Sequence, residues 1–133
     1  MNVEIQESWY SLKECAENPK KLYIFGDNTI RVGMGGQAMI RPAKNSIGIA
    51  TKMLPSNAKD AFFSDTTEQA WILAGDIADM FQAFEDGGYD ILVLPADGLG
   101  TGLSQMPEKS PELFKWLNQS LSNLLGIEYH LQD

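Results

Sequence analysis

The 133-residue chain holds a single cysteine, Cys15, and a single histidine, His130. One thiol excludes an internal disulfide, and two such residues exclude a metal site assembled from cysteine and histidine. Basic residues are sparse: ten Lys and Arg stand against eighteen Asp and Glu, for a formal charge of −8. The ten are scattered and form no stripe, whereas duplex binding relies on clustered cations that displace counterions from phosphate. Direct nucleic-acid binding is therefore not expected. Acidity favours solubility and, more weakly, mimicry of a nucleic acid towards a basic partner. No apolar run is long enough to cross a bilayer, and MNVEIQESWY lacks the basic-plus-apolar pattern of a secretory signal. There is no repeat and no low-complexity tract, and 44% apolar with 21% charged residues is an ordinary globular composition. The expectation is a single domain over 1–133, cytoplasmic, with no membrane partner, no metal and no cofactor, its oligomeric state open.

Apolar periodicity supplies the elements. Val3 to Ile5 reads as a short strand, and a helix from Ser8 or Ser11 to about Glu17 stops at Asn18-Pro19. KLYIFG, 21 to 26, is an apolar strand ending at glycine. GGQAMIR opens a short helix that Pro42 ends, and SIGIATK, 46 to 52, is a second core strand. MLPSNAKDAFFSD, 53 to 65, reads as a loop with two exposed aromatics. Thr66 to Gln69 forms a capping box for a helix with Ala70, Leu73, Ile77, Phe81 and Phe84 on one stripe, closed by Gly87-Gly88. YDILVLP, 89 to 95, is apolar on both faces, as a buried parallel strand is. Ser110-Pro111-Glu112 starts a last helix that Gly126 closes, and IEYHLQ makes a final strand. Trp71 and Trp116 are expected in the core. Alternating strands and helices predict an α/β fold, a mixed, mostly parallel sheet with helices on both faces.

Glycine is concentrated in two places. FGDNTIRVGMGGQAMIR, 25 to 41, puts three glycines into four positions, and ADGLGTGLSQM follows the strand ending at Pro95. Glycine is expected where backbone needs positive φ or must lie bare against a ligand. In open α/β sheets ligands sit beyond the carboxyl ends of strands, and both loops fall there. Exposed amides beside a helix start attract anions, so the pair reads as a phosphate or nucleotide cradle rather than two plain turns. No Gly-Lys-Ser/Thr follows, and GxGxxG with its distant acid is missing. These absences argue against a nucleoside triphosphatase and a dinucleotide dehydrogenase.

These residues resemble the macrodomain family, which binds ADP-ribose and related nucleotides. FGDN…GMGGQAMI looks like its strand ending in a polar pair with asparagine, then a glycine-rich helix start. ILVLP…GLGTGLSQMP is similar to its strand-proline and G-(T/C)-G loop, and GIATK to its T-K strand. The resemblance covers about residues 21 to 126 in the family's order. It implies a three-layer macrodomain-like fold with a crevice between the two loops. Asp27 and Asn28, with Gly26, would contact the adenosine or distal ribose. Gly33, Gly35, Gly36, Gln37 and Ala38 would line the diphosphate and distal ribose, with Thr51 beside them. Gly98, Gly100, Thr101, Gly102 and Leu103 would supply the second phosphate loop. The closest subgroup in appearance is the terminal ADP-ribose glycohydrolase type, whose T-K lysine is catalytic; Lys52 falls there. In that subgroup an aspartate follows the second loop, and Ser104 stands at the matching position; Asp97 is the other candidate acid.

Each of these residues has a plainer reading. Lys52 is either a nucleophile with a pKa lowered by desolvation or a solvated strand-end lysine. Asp27-Asn28 is either a ligand contact or an Asx turn. Phe62 and Phe63 either stack on a base or anchor the loop. Arg41 pairs with phosphate or ends its helix, Asn45 is turn chemistry, and Cys15 and His130 have no assigned role. Three functions follow in order: a binder of ADP-ribose or a related NAD-derived nucleotide, including a sponge for a nucleotide signal; an ADP-ribosyl hydrolase using Lys52 or Asp97; and an acidic protein-interaction module.

Overall fold

Side chains alternate sharply along the two central strands, and this decides the layering. In KLYIFGDN, Leu22 and Ile24 enter one apolar cluster while Tyr23 and Phe25 enter another; in ILVLP, Leu92 and Leu94 part from Val93 in the same way. A strand that is apolar on both faces needs cover on both. The computed structural model describes residues 1–131 and provides it. The strands are β1 (Asn2–Gln6), β2 (Lys21–Asn28), β3 (Ser46–Lys52) and β4 (Ile91–Pro95), in the sheet order β1-β4-β2-β3. Helices α2 (Thr67–Asp86) and α4 (Pro111–Leu125) send Leu73, Ile77, Leu117 and Leu121 into the larger cluster on one face. Helix α1 (Leu12–Glu17) and a 3₁₀ helix, Gly36–Ile40, send Cys15, Ala38 and Ile40 into the smaller one on the other. The fold is α/β. Among the described residues, no helix is long and apolar enough to cross a membrane.

Local signals account for most boundaries. Ser11 caps α1 by accepting from the Glu14 amide, and Thr66 and Gln69 form the expected capping box on α2. Gly126, at φ 68°, ends α4 in the left-handed region. Several expectations need correction. Among the described residues every strand pairing is parallel rather than mixed, and the one antiparallel contact is an isolated bridge between Lys52 and Phe62. Residues 127–131 form no strand, and Gln132 lies outside the described residues. Tyr129 instead buries its ring and donates from its hydroxyl to the Pro95 carbonyl at 2.5 Å, which turns the segment across the end of β4. A short helix, α3 (Met106–Lys109), precedes α4. Trp71 and Trp116 are 75% and 40% exposed, not core. Asn45 is more than turn chemistry: its amide nitrogen meets the carbonyls of Cys15, Asn18 and Lys21, tying α1 to the start of β2.

Edge strand β3 has an outward amide that no strand can satisfy. Asp76 of α2 supplies the partner, accepting from the Ala50 N–H at 2.7 Å while its other oxygen binds Arg31 at 2.6 Å. Ala50 is fully buried, so water cannot substitute. Asp76→Ala is expected to lower stability by about 1–3 kcal/mol, the usual cost of orphaning a buried polar group, read as a reduced urea midpoint with an unchanged m value.

Candidate functional site

Because the strands are parallel, their carboxyl ends share one edge of the sheet, and a cavity of about 770 Å³ opens along it. Sheet order sets the order of its walls. Trp9 follows β1; Asp97 and Gly100 to Ser104 follow β4; Gly26, Asp27 and Asn28 end β2, with Val32, Gly33 and Gly35 to Ala38 after them. Thr51 and Lys52 close β3, with Pro55 and Asn57 beyond. The two glycine loops thus come from the two central strands and face each other. A Cβ placed on Gly35 would sit 3.5 Å from Leu103 Cδ1, across the cleft.

Gln37 joins the two sides. Its Oε1 accepts from the Gly26 N–H at 2.9 Å, and its Nε2 donates to the Gly98 carbonyl at 2.9 Å. Below it, Thr51 Oγ1 and Ser104 Oγ lie 2.6 Å apart, joining β3 to the second loop. That loop is pinned by Leu99, fully buried in the larger cluster between Gly98 and Gly100 at φ 93° and 79°. A side chain at Gly100 is barred twice, by its φ and by Met106 Sδ, which would clash with a Cβ there. His130 braces the loop from behind, with Nε2 2.7 Å from the Ala96 carbonyl and its ring edge-on to Tyr129.

With the loops held this way, their amides are left over. Among the described residues, the N–H groups of Gly35, Gly36 and Gln37 on one side, and of Gly100, Thr101, Gly102, Leu103 and Ser104 on the other, donate to no protein acceptor. The helix starts expected to add a dipole amount to five residues of 3₁₀ helix and four of α3, so the individual donors carry the electrostatics.

Formal charges in the cleft are largely committed. Arg41 grips Asp27 through two bonds, at 2.9 and 2.6 Å, and donates a third to the Gly33 carbonyl. Arg31 lies 3.7 Å from the same carboxylate. Asn28 makes an Asx turn, accepting from the Ile30 N–H and donating to the Val32 carbonyl. Asp27 and Asn28 therefore shape the first loop. Lys52 is 7% exposed; its ammonium donates to the Ser56 carbonyl at 2.8 Å and lies 4.6 Å over the Phe62 ring. Burial pushes its pKa below 10.5. No ion pair among the described residues joins it to a carboxylate, Asp97 included.

Of the residues expected at the site, Gly98, Phe62 and Phe63 fall outside the cavity lining. Gly98 turns behind the loop towards His130. Phe63 is 1% exposed and belongs to the larger core cluster, while Phe62 is buried with the ammonium groups of Lys52 and Lys109 over its ring; neither lines the cavity. Trp9, Val32, Pro55 and Asn57 line the cavity and were not expected there. An exposed aromatic just after a strand end is the signal that could have found Trp9; for the others the sequence carries none.

Two outcomes follow. Gln37→Ala should orphan the Gly26 amide and free the second loop, with a loss of about 1–3 kcal/mol in urea unfolding and faster hydrogen exchange at residues 98–104 than elsewhere. For Lys52, the lowered pKa means that the unfolded chain binds more protons between that value and 10.5, so this site's contribution to stability rises with pH across the window. Below it, the full penalty of the buried ammonium persists. Urea titrations from neutral pH to 10.5 should therefore show wild type gaining on Lys52→Met as pH rises.

Searches of curated proteins and of solved structures find no match to the chain. One family model does match, over residues 5–120 and so over most of the chain, and this protein is accordingly a member of a family of unknown function, DUF7831.

Proposed function

We propose that this protein binds ADP-ribose or a related NAD-derived nucleotide in the cleft across its strand ends, in the manner of the macrodomains its motifs resemble. The observation that carries the reading is that two runs of residues with unpaired amides, Gly35 to Gln37 and Gly100 to Ser104, line one cavity of about 770 Å³. Ligand pockets fall at about 300–1,000 Å³, and a diphosphate is rich in the acceptors that such donors lack. Arg41 and Arg31 are engaged with Asp27 and Asp76, so the backbone supplies most of the recognition.

Binding without turnover is the form these residues favour. A lysine nucleophile needs a group to take its proton, and Lys52 has a carbonyl and an aromatic ring as neighbours. At the position where the hydrolase-type relatives in the resemblance carry an aspartate, Ser104 bonds to Thr51. A reader or a sponge for a nucleotide signal needs only the cradle.

Calorimetry decides the matter. ADP-ribose should give saturable single-site heat, and Gly35→Glu should abolish it with melting temperature preserved, because Gly35 has φ −76° and accepts a side chain without backbone strain. ADP-ribosylated protein incubated with the wild type should keep its modification. Absence of heat with ADP-ribose, ADP and NAD alike would overturn the nucleotide reading; release of ADP-ribose would overturn the non-catalytic form of it.

A further inference from the structure

We infer that Trp9 is the stacking face of a nucleobase subsite, with Asp97 as the acceptor for the base edge, so that a nucleotide lies in the cleft with its base at the β1–β4 end and its far group towards Lys52. The inference rests on the nucleotide reading and adds a direction to it. The amide runs that suit a diphosphate belong to the loops after β4 and β2, at the middle of the cleft. A base attached to that diphosphate must lie to one side or the other.

The two ends differ in chemistry. Towards β3 lie Lys52, Pro55 and Asn57, with no aromatic face available because Phe62 and Phe63 are packed away. Towards β1 lies Trp9, 71% exposed although it lines the cavity. Its neighbour Tyr10 is buried and donates to the Ile24 carbonyl at 2.9 Å, which fixes the backbone and leaves Trp9 projecting. Gln6 Nε2 donates to Glu14 Oε1 at 2.8 Å and lies 3.3 and 3.4 Å from the carbonyls of Ser8 and Trp9, which ties the turn that carries the indole to α1. A large apolar ring held out into water on a braced turn is prepared for a flat partner. Asp97 is an exposed carboxylate that borders the same end and shares with Trp9 a small adjoining pocket. Ionised, it accepts hydrogen bonds and donates none, so it selects a base edge that carries N–H groups, as adenine does.

Trp71 and Trp116 stand on α2 and α4, away from the cavity lining, and the double variant Trp71→Phe, Trp116→Phe leaves Trp9 as the one indole. In that background ADP-ribose should quench the fluorescence saturably, whereas ribose 5-phosphate and inorganic pyrophosphate, which carry no base, should not. Trp9→Ala should raise the Kd for ADP-ribose on the order of tenfold or more, with Trp9→Phe restoring most of the affinity. Asp97→Asn should narrow the preference for ADP-ribose over the counterpart whose base is unsubstituted purine, which carries no N–H on that edge. Calorimetric binding of ADP-ribose with no quenching, and an unchanged Kd in Trp9→Ala, would overturn the base subsite while leaving the nucleotide reading intact. An undiminished base preference in Asp97→Asn would overturn the acceptor role alone. No binding of ADP-ribose at all would overturn subsite and nucleotide reading together.

Discussion

One side-chain amide sets the width of the cleft. Gln37 spends its acceptor on the Gly26 N–H and a donor on the Gly98 carbonyl, both at 2.9 Å, so the loops after β2 and β4 stand one glutamine apart. Gly26 lies where the two loops meet: a Cβ there would make ordinary van der Waals contacts with Gln37 Oε1, Thr51 Oγ1 and the Gly100 N, at 3.5 to 3.6 Å. Gly100 answers from the other side, where Met106 leaves no room for a side chain. On that side bare backbone is required, and the residues of both walls keep amides with no internal partner. Glycine freedom is used here for close approach as much as for unusual dihedrals.

The electrostatic consequence is a short-range site on a protein whose overall field repels anions. At −8, the chain disfavours anion approach at long range, and salt screens that repulsion within about ten ångströms. The nearby guanidinium groups soften this little, since Arg41 is locked on Asp27 and Arg31 is divided between Asp76 and Asp27. Gly48 makes the lock possible, for a Cβ there would strike the Asp27 carboxylate. What remains for a ligand is a fixed set of neutral dipoles, whose attraction falls off quickly and whose geometry is specific. Such a site rewards a ligand that presents acceptors in the right places over one that merely carries charge.

Much of this was legible from residue order. Helix α2 announced itself by its capping box, and β2 and β4 by apolar runs that only a two-sided sheet can bury. Both glycine loops could be placed at strand ends because glycine clusters followed those runs directly. Other features were hidden because they depend on angle or on distant partners. Trp71 lies two residues before Leu73, about 200° around the helix, and so faces outward, although it sits inside an apolar stretch. The terminal IEYHL has a strand-like pattern, yet the Tyr129 hydroxyl and the Pro95 carbonyl divert it. Asp27 could be named as a site residue from its motif, but not its capture by Arg41, which arrives from fourteen residues beyond.

The direction of the cleft is the feature least readable in one dimension. In the chain Trp9 precedes the first glycine loop and Asp97 precedes the second, with Lys52 between them. The sheet reorders these: β4 inserts between β1 and β2, bringing Asp97 to Trp9, while β3 carries Lys52 to the opposite edge. Strand order therefore decides which chemistries can touch one end of a bound molecule. An aromatic face with a carboxylate at one end, a buried ammonium at the other and neutral donors between make a site with polarity. A symmetric anion has no use for such an arrangement; a molecule with a flat, donor-bearing head and a polar tail does.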